Sequence, residues 1–387
     1  MDCTCSPPAE VDLTMALRVW STAVGVAGDA DLQRTRTLLV QNLQRSGWCP
    51  LRVRLNKVPL LLAGCKRLNA NSASWKQQLL DLLEDFTFTE QNVEKCSSSR
   101  VVCRMAESGA PGSVPEPKTS LEVERCQCGD RGTSSNATYE TLQEWTSLLH
   151  TLALTVQNLV FGSDFLLRGE SCQVGNSQVD KKCNIDLLRA FYYDTVPPGK
   201  EHLGSNPHTD WGSWTVVWQD HVGGLQSFCH ACQRWNGIPA HESDNASAHF
   251  VLHVGDITSL VIGKALEKSS DRDWFTTQGK VVWPSPKHRV LSPTLEMRCS
   301  LVYFAYPPPE ASINDLVETL RQLDNVETLI DSSSLNSVSI PYETYFLLQN
   351  QSSEGNQVHS SSKILESISS KSLAKVLREK WRQVQRS

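Results

Sequence analysis

The feature that most limits the fold is a change of texture near residue 185. From there to about 307 the chain reads as short β-like runs separated by turns: LLRAFYYD, SWTVVWQD, GGLQSFCH, HFVLHVGD, VVWPSP and CSLVYFAYP. Runs this short cannot each bury a core of their own. They must pair into facing sheets or a closed barrel. Many of their residues are β-branched or aromatic, which suits half-buried pleated surfaces. A mainly β core follows, with helices around it.

Within this region the segment NPHTDWGSWTVVWQDHVGGLQ sets His208 and Asp210 two residues apart. On a strand, residues i and i+2 point to the same face, so this imidazole and carboxylate can share one metal ion. A third ligand must come from elsewhere in the sheet, and SPKHRVLSP offers His288. Two histidines and one carboxylate on one face of a metal leave coordination positions open, the pattern of non-haem Fe(II) oxygenases. A bare His-x-Asp arises often by chance. Its company here is less ordinary. Arg298-Cys-Ser300 is another i, i+2 pair, and a guanidinium beside a hydroxyl makes a seat for a carboxylate. Arg298 and Ser300 stand ten and twelve residues after His288. They would share its face if 288–300 were one β-run, although Pro293 marks where a turn could break it. Upstream, Phe191-Tyr192-Tyr193 offers a phenol on a neighbouring strand.

These parts, FYYD, HTD, TVVWQDHVGGLQ, HVGD (Gly255, Asp256), HRV and RCS, lie in one order over about 120 residues. The stretch resembles the plant and fungal 2-oxoglutarate/Fe(II) dioxygenases, the clan that includes isopenicillin N synthase and clavaminate-synthase-like proteins. The resemblance implies a double-stranded β-helix, or jelly roll, with flanking helices. It implies Fe(II) bound by His208, Asp210 and His288, with 2-oxoglutarate held at its distal carboxylate by Arg298, Ser300 and Tyr193. It also implies a small-molecule substrate and molecular oxygen as reactants, hydroxylation as the usual outcome, and ascorbate as a reductant such enzymes accept. Two other readings stay open. An isopenicillin N synthase-like oxidase would use its Arg-x-Ser on the substrate itself, without 2-oxoglutarate. A metal-bearing regulatory protein would not turn over at all. The chain departs from the pattern at Phe191, Asp194 and Trp214, where relatives often carry Asn, Pro and Leu. It also has a longer segment between Asp210 and His288, whose extra residues read as mouth loops.

The flanks divide the rest. Residues 1–91 form a mixed α/β region: Leu32, Leu39, Val40 and Leu43 recur at helical spacing before Gly47, and WCPLRVRL alternates like a half-buried strand. Residues 92–138 lose periodicity and are rich in Ser, Gly, Pro and charge, so they read as a disordered insert. Residues 139–310 contain the core, opened by an amphipathic helix with Leu142, Trp145, Leu148, Leu149, Leu152, Val156 and Leu159 on one face. Residues 311–387 read as a helical extension with a Ser-rich linker at 352–363.

The net charge of -5 does not suit a nucleic-acid partner, and the longest apolar runs are too short to span a bilayer. Thirteen cysteines and no recognisable secretory leader predict reduced thiols in a cytoplasmic or nuclear protein, for which a monomer is the default expectation. The sequons at Asn136 and Asn245 are then chance matches. Cys229-His-Ala-Cys232 and Cys126-Gln-Cys128 could together form a zinc site, but ordinary loop thiols are the simpler reading. His202, His221, His230, His241, His249 and His253 read as loop or surface histidines, and Trp211, Trp214 and Trp218 as core residues with a secondary claim on the pocket.

Overall fold

The computed structural model describes residues 7–22, 30–58, 75–89, 100–105, 116–126, 137–162, 166, 185–198, 202–241, 247–266, 283–323 and 368–376. The Ser-rich linker expected at 352–363 lies outside them.

The strands are β1 (Val11–Asp12), β2 (Trp48–Arg54), β3 (Arg100–Met105), β4 (Lys118–Cys126), β5 (Ile185–Tyr193) and β6 (Leu203–His208). They continue with β7 (Trp214–Gln219), β8 (Leu225–Cys229), β9 (Arg234–Gly237), β10 (Ser247–Val254), β11 (His288–Leu291) and β12 (Arg298–Tyr306). They form an eight-stranded sheet in the order β1-β2-β10-β7-β12-β5-β4-β3 and a four-stranded sheet in the order β6-β11-β8-β9. From β5 to β12 the chain alternates between the two sheets, with β9 the one immediate return within a sheet. That alternation is the double-stranded β-helix, and the mainly β expectation holds.

The large sheet has two working faces because side chains alternate along each strand. One face carries Leu188, Ala190 and Tyr192 on β5, Leu301, Tyr303 and Ala305 on β12, and Trp214, Val216 and Trp218 on β7, all buried. Helix α4 (Ala137–Phe161) covers it, laying Leu142, Trp145, Leu149, Leu152 and Val156 against β5, β7 and β12. The other helices of this half are α1 (Thr14–Thr22), α2 (Ala30–Ser46) and α3 (Trp75–Thr89). Trp75 of α3 meets Trp145 edge-on at 4.4 Å, and both rings lie near Trp218. A buried Tyr303 hydroxyl meets His150 Nδ1 at 2.7 Å, so the helix is keyed to the sheet by a polar contact as well as by apolar burial. Trp211, Trp214 and Trp218 all belong to this core.

The opposite face of the large sheet turns toward the small sheet. Trp48, Phe191, Tyr193, Val217 and Val251 from the large sheet pack with Leu225 and Val290 from the small one, lining the interior of the jelly roll. Two further helices close the fold: α5 (Asp256–Leu266) and α6 (Ile313–Arg321) pack on one another. Ser312 caps α6 in a reciprocal pair with Asp315.

The stretch read as a disordered insert, 92–138, is corrected in part. Residues 100–105 and 118–126 are strands β3 and β4, and β4 pairs antiparallel with β5 along its whole length, Lys118 with Tyr193 through Cys126 with Ile185. Leu121 and Val123 are buried while Ser120 and Glu122 alternate with them. The alternation was present in TSLEVER. The surrounding Gly, Pro and Ser residues masked it, because a nine-residue period-2 signal is weak beside a long polar stretch.

Candidate metal centre

His208 ends β6, and His288 begins β11 directly opposite it across the antiparallel pair. Their rings lie 4.3 Å apart. Asp210 falls just beyond the strand, so strand alternation is not what aims it. Its backbone carbonyl accepts from the Asp256 amide at 2.7 Å, which ties the 209–213 loop to the start of α5. Two glycines permit this closeness. A Cβ at Gly255 would stand 1.9 Å from the Gly212 carbonyl oxygen, and one at Gly212 would stand 2.7 Å from that of Ala305. The GD turn and the Gly after HTDW therefore fold the carboxylate inward.

The result is one donor set. His208 Nε2 and His288 Nε2 are each 3.7 Å from Asp210 Oδ1. Each imidazole places its Nδ1 on a backbone carbonyl, His208 on Asn206 at 2.7 Å and His288 on Pro286 at 3.0 Å. With Nδ1–H donating there, Nε2 is left as the lone-pair atom facing inward, which is how metal-ligating histidines are oriented. Asp210 Oδ2 is buried without a hydrogen bond. Burial would raise the Asp210 carboxyl, but the neighbouring His288, His253 and His208 overrule it and hold it well below the usual carboxylate range. Burial likewise drives His288 down to about 3. An ionised carboxylate beside a neutral imidazole is the protonation state a divalent ion needs. The residues fit a metal ion such as Fe(II).

His253 was read from the sequence as a loop or surface residue, and that is corrected. It lies on β10, fully buried, with Nδ1 3.5 Å from Asp210 Oδ2 and its ring 4.5 Å from that of His288. The signal was available: His253 sits two residues after Val251 in an alternating strand, on the face that carries Val217's partner.

Arg298 and Ser300 reach the same interior by another route. The chain breaks after Leu291, and β12 begins at Arg298 in the large sheet, so these residues face His288 from the opposite sheet rather than along one run. Arg298 is 1% exposed. Its Nε donates to the Gly223 carbonyl, its NH1 to Ser300 Oγ at 3.0 Å, and its NH2 to Gln219 Oε1 at 3.3 Å. Every one of these partners is neutral, and Arg298 makes no ion pair among the described residues. The guanidinium lies 4.6 Å above the Tyr193 ring, so Tyr193 stacks beneath it.

The QDHVGGLQ string now has a physical reading. Gln219 holds Arg298. Asp220 closes the turn by accepting from Val222 N, and accepts from Cys299 N at 2.8 Å. Gly223 and Gly224 take φ of 71° and 93°, a backbone that side-chain-bearing residues rarely adopt, and this aims the Gly223 carbonyl at Arg298. Gln219 ends β7, and it and Gly223 both hold the Arg298 guanidinium. Cys229 and Cys232 lie at the β8–β9 turn, and Cys128, one of their suggested partners, lies outside the described residues.

A jelly roll enclosing two histidines, a carboxylate and a separate buried arginine is the architecture of the non-haem Fe(II) oxygenases. The comparisons agree. Residues 184–307, about a third of the chain, match the 2OG-Fe(II) oxygenase superfamily. The chain is 32% identical over 129 residues to gibberellin 3-beta-dioxygenase 2-3 of Triticum aestivum, covering 33% of this chain and 29% of that protein. It is 27% identical over 130 residues to feruloyl CoA ortho-hydroxylase 2 of Arabidopsis thaliana, covering 34% of this chain and 30% of that one. The match thus spans less than a third of these relatives' length. Among solved structures, a full-length Neurospora crassa protein in complex with alpha-KG and thymine superposes with a TM-score of 0.51 at 14% identity, covering 89% of this chain and 96% of that one.

Proposed function

We propose that the chain is an Fe(II)- and 2-oxoglutarate-dependent oxygenase, a hydroxylase acting on a small organic molecule in the cytoplasm. The observation that carries it is Arg298. A guanidinium taken out of water without a counter-charge is costly, and a bound carboxylate offsets that cost. The same interior holds a metal-ligand set. One pocket that wants both a divalent ion and an anionic carboxylate suits a keto acid that chelates iron at one end and is anchored at the other. The wheat and Arabidopsis relatives are named as a dioxygenase and a hydroxylase of small molecules, which supports the same reading. The free thiols of Cys49 and Cys299 support a reducing compartment.

In this reading His208, Asp210 and His288 hold the iron. Arg298 receives the distal carboxylate as a bidentate pair, Ser300 adds a hydroxyl, and Gln219 and Gly223 keep the guanidinium aimed. Tyr193 supports the cation from below through its ring. Bound here, iron with 2-oxoglutarate would supply the oxygen-activating chemistry, the keto acid leaving as succinate and carbon dioxide. The apolar residues Val217, Leu225, Val251 and Val290 keep bulk water from the interior.

The test is oxygen uptake and succinate formation by iron-reconstituted protein, with wild type against Arg298→Lys. Lysine keeps the charge and loses the fork. The apparent affinity for 2-oxoglutarate is expected to fall by about 1–3 kcal/mol, roughly 5- to 150-fold, with iron binding unchanged. Substrate turnover without any keto acid and without succinate would instead make Arg298 a substrate anchor and the protein an oxidase.

A further inference from the structure

Two imidazoles and a carboxylate meet at a second place. Glu10, just before β1, His249 on β10 and His241 in the loop after β9 bring their ligand atoms within 4.8 Å of one another. The group lies at the β1–β2–β10 end of the large sheet, on elements that carry none of the first cluster's ligands.

Its geometry is more specific than a chance meeting of surface charges. His249 Nδ1 lies 2.8 Å from Glu10 Oε1, although the two residues are 239 apart in the chain. The His241 ring stacks on His249 at 4.5 Å with 30° between planes. Glu10's two oxygens face different partners: Oε1 looks to His249, while Oε2 lies 3.6 Å from Arg52. Arg52 in turn pairs with Asp12 at 3.1 Å, so its charge is shared and does not simply cancel Glu10. A ligating carboxylate whose second oxygen is held by an outer partner is the usual arrangement around protein metal ions.

The backbone beneath is fixed. β2 and β10 pair from Ser247 to His253, which seats His249 opposite Arg52. Ile238 N donates to Leu225 O at 2.8 Å, and Gln219 Nε2 reaches the Ile238 and Pro239 carbonyls at 3.4 Å. His241, which is exposed, has to swing in, and the 2.8 Å contact of Glu10 with His249 has to open slightly. Ligand atoms about 2.1 Å from a tetrahedral ion stand roughly 3.4 Å apart, so a swing of an ångström or so closes the set.

We propose that Glu10, His241 and His249 form a second divalent-metal site, of the zinc class, with water in the remaining position. Two nitrogens and one carboxylate oxygen suit Zn(II) better than the hard cations Ca(II) and Mg(II), which take oxygen ligands. The ion would clip the N-terminal segment and the β9–β10 loop onto the sheet. That loop also carries the carbonyls that receive Gln219, the residue that holds Arg298.

The test uses full-length protein carrying His288→Ala, which disables the interior cluster, stripped of metal. Zn(II) is titrated by calorimetry and Co(II) by visible absorption. One ion per chain is expected, with a Co(II) spectrum lacking a thiolate charge-transfer band, and Zn(II) should raise the melting temperature. Adding His241→Ala and His249→Ala together should abolish binding, and adding Glu10→Gln alone should weaken it by about 10- to 100-fold. Circular dichroism identical to that of His288→Ala shows that these variants fold. The proposal is overturned if the His288→Ala protein binds no ion, if binding survives the added double substitution, or if the Co(II) spectrum is that of thiolate ligands.

Discussion

The two clusters share a donor set of two histidines and one carboxylate and differ in almost everything around it. In the interior, Asp210 is 4% exposed and His288 is 6% exposed, and both imidazoles are oriented by backbone carbonyls. At the rim, His241 is exposed, Glu10 and His249 are half-buried, and the carboxylate shares an arginine. The interior set is therefore built before any ion arrives, while the rim set closes around one. Preorganisation lowers the cost of binding, so the interior ion should be held more tightly and exchange more slowly. The interior cluster has a second anchor, Arg298, on the opposite sheet, which is what chemistry on a bound molecule requires. The same three residue types can serve as a reactive centre or as a clip, and the surroundings decide which.

The largest effect should come from His288→Ala. Iron occupancy should fall from about one per chain to near none, and keto-acid turnover should fall by more than the roughly 100-fold typical of losing an outer partner. Metal analysis beside succinate assays reads both. Full wild-type occupancy would mean that the interior cluster is not the iron site.

Next, His253→Phe keeps the ring volume and removes the imidazole beside Asp210 Oδ2. Iron affinity should weaken by about 10- to 100-fold while the fold is retained. Unchanged affinity would reduce His253 to a packing residue.

A third prediction concerns acid. The folded chain holds His288 down at about 3, against roughly 6.5 when unfolded. Between those values the unfolded state binds the extra proton. Stability of the metal-free protein should therefore fall as pH drops from about 6.5, by about 1.4 kcal/mol per pH unit. Asp210, held below its ordinary value, adds to the loss only at lower pH, below about 3.8. Denaturant titrations at pH 7, 6 and 5 read the slope. It should shrink in His288→Gln and persist in His249→Ala, and a slope unaffected by His288→Gln would assign it elsewhere.

The smallest effect separates buried from rim thiols. Burial raises Cys49 and Cys299 to about 12, whereas Cys229 and Cys232 are half-exposed. Mild alkylation of native protein, followed by peptide mapping, should label the latter pair first. Early labelling of Cys299 would show that the β12 start opens readily.

Much of this was legible in the residues. Short β-like runs announced β5, β7, β8, β10 and β12, though not β6 or β9, and the run VVWPSP is no strand in its described residues; helical periodicity announced α2 and α4, because a side chain's direction along a regular element is a local property. His208, Asp210, His288 and the Arg298–Ser300 pair could be named because their residue types carry their chemistry wherever they fall.

What the sequence could not supply was which faces meet. His253 and His249 lie four residues apart on one strand, yet one touches Asp210 and the other touches Glu10. Strand β4 was hidden in a polar stretch until β5 gave it a partner. Arg298 lies ten residues after His288 but faces it from the other sheet, and Asp210 is aimed by an amide at residue 256. Alternation and residue chemistry are encoded locally, so the chain alone determined the β core and the donor types. Pairing between distant segments depends on non-local contacts that no short window of sequence contains, so only the tertiary structure decided which donors form a site and what surrounds them.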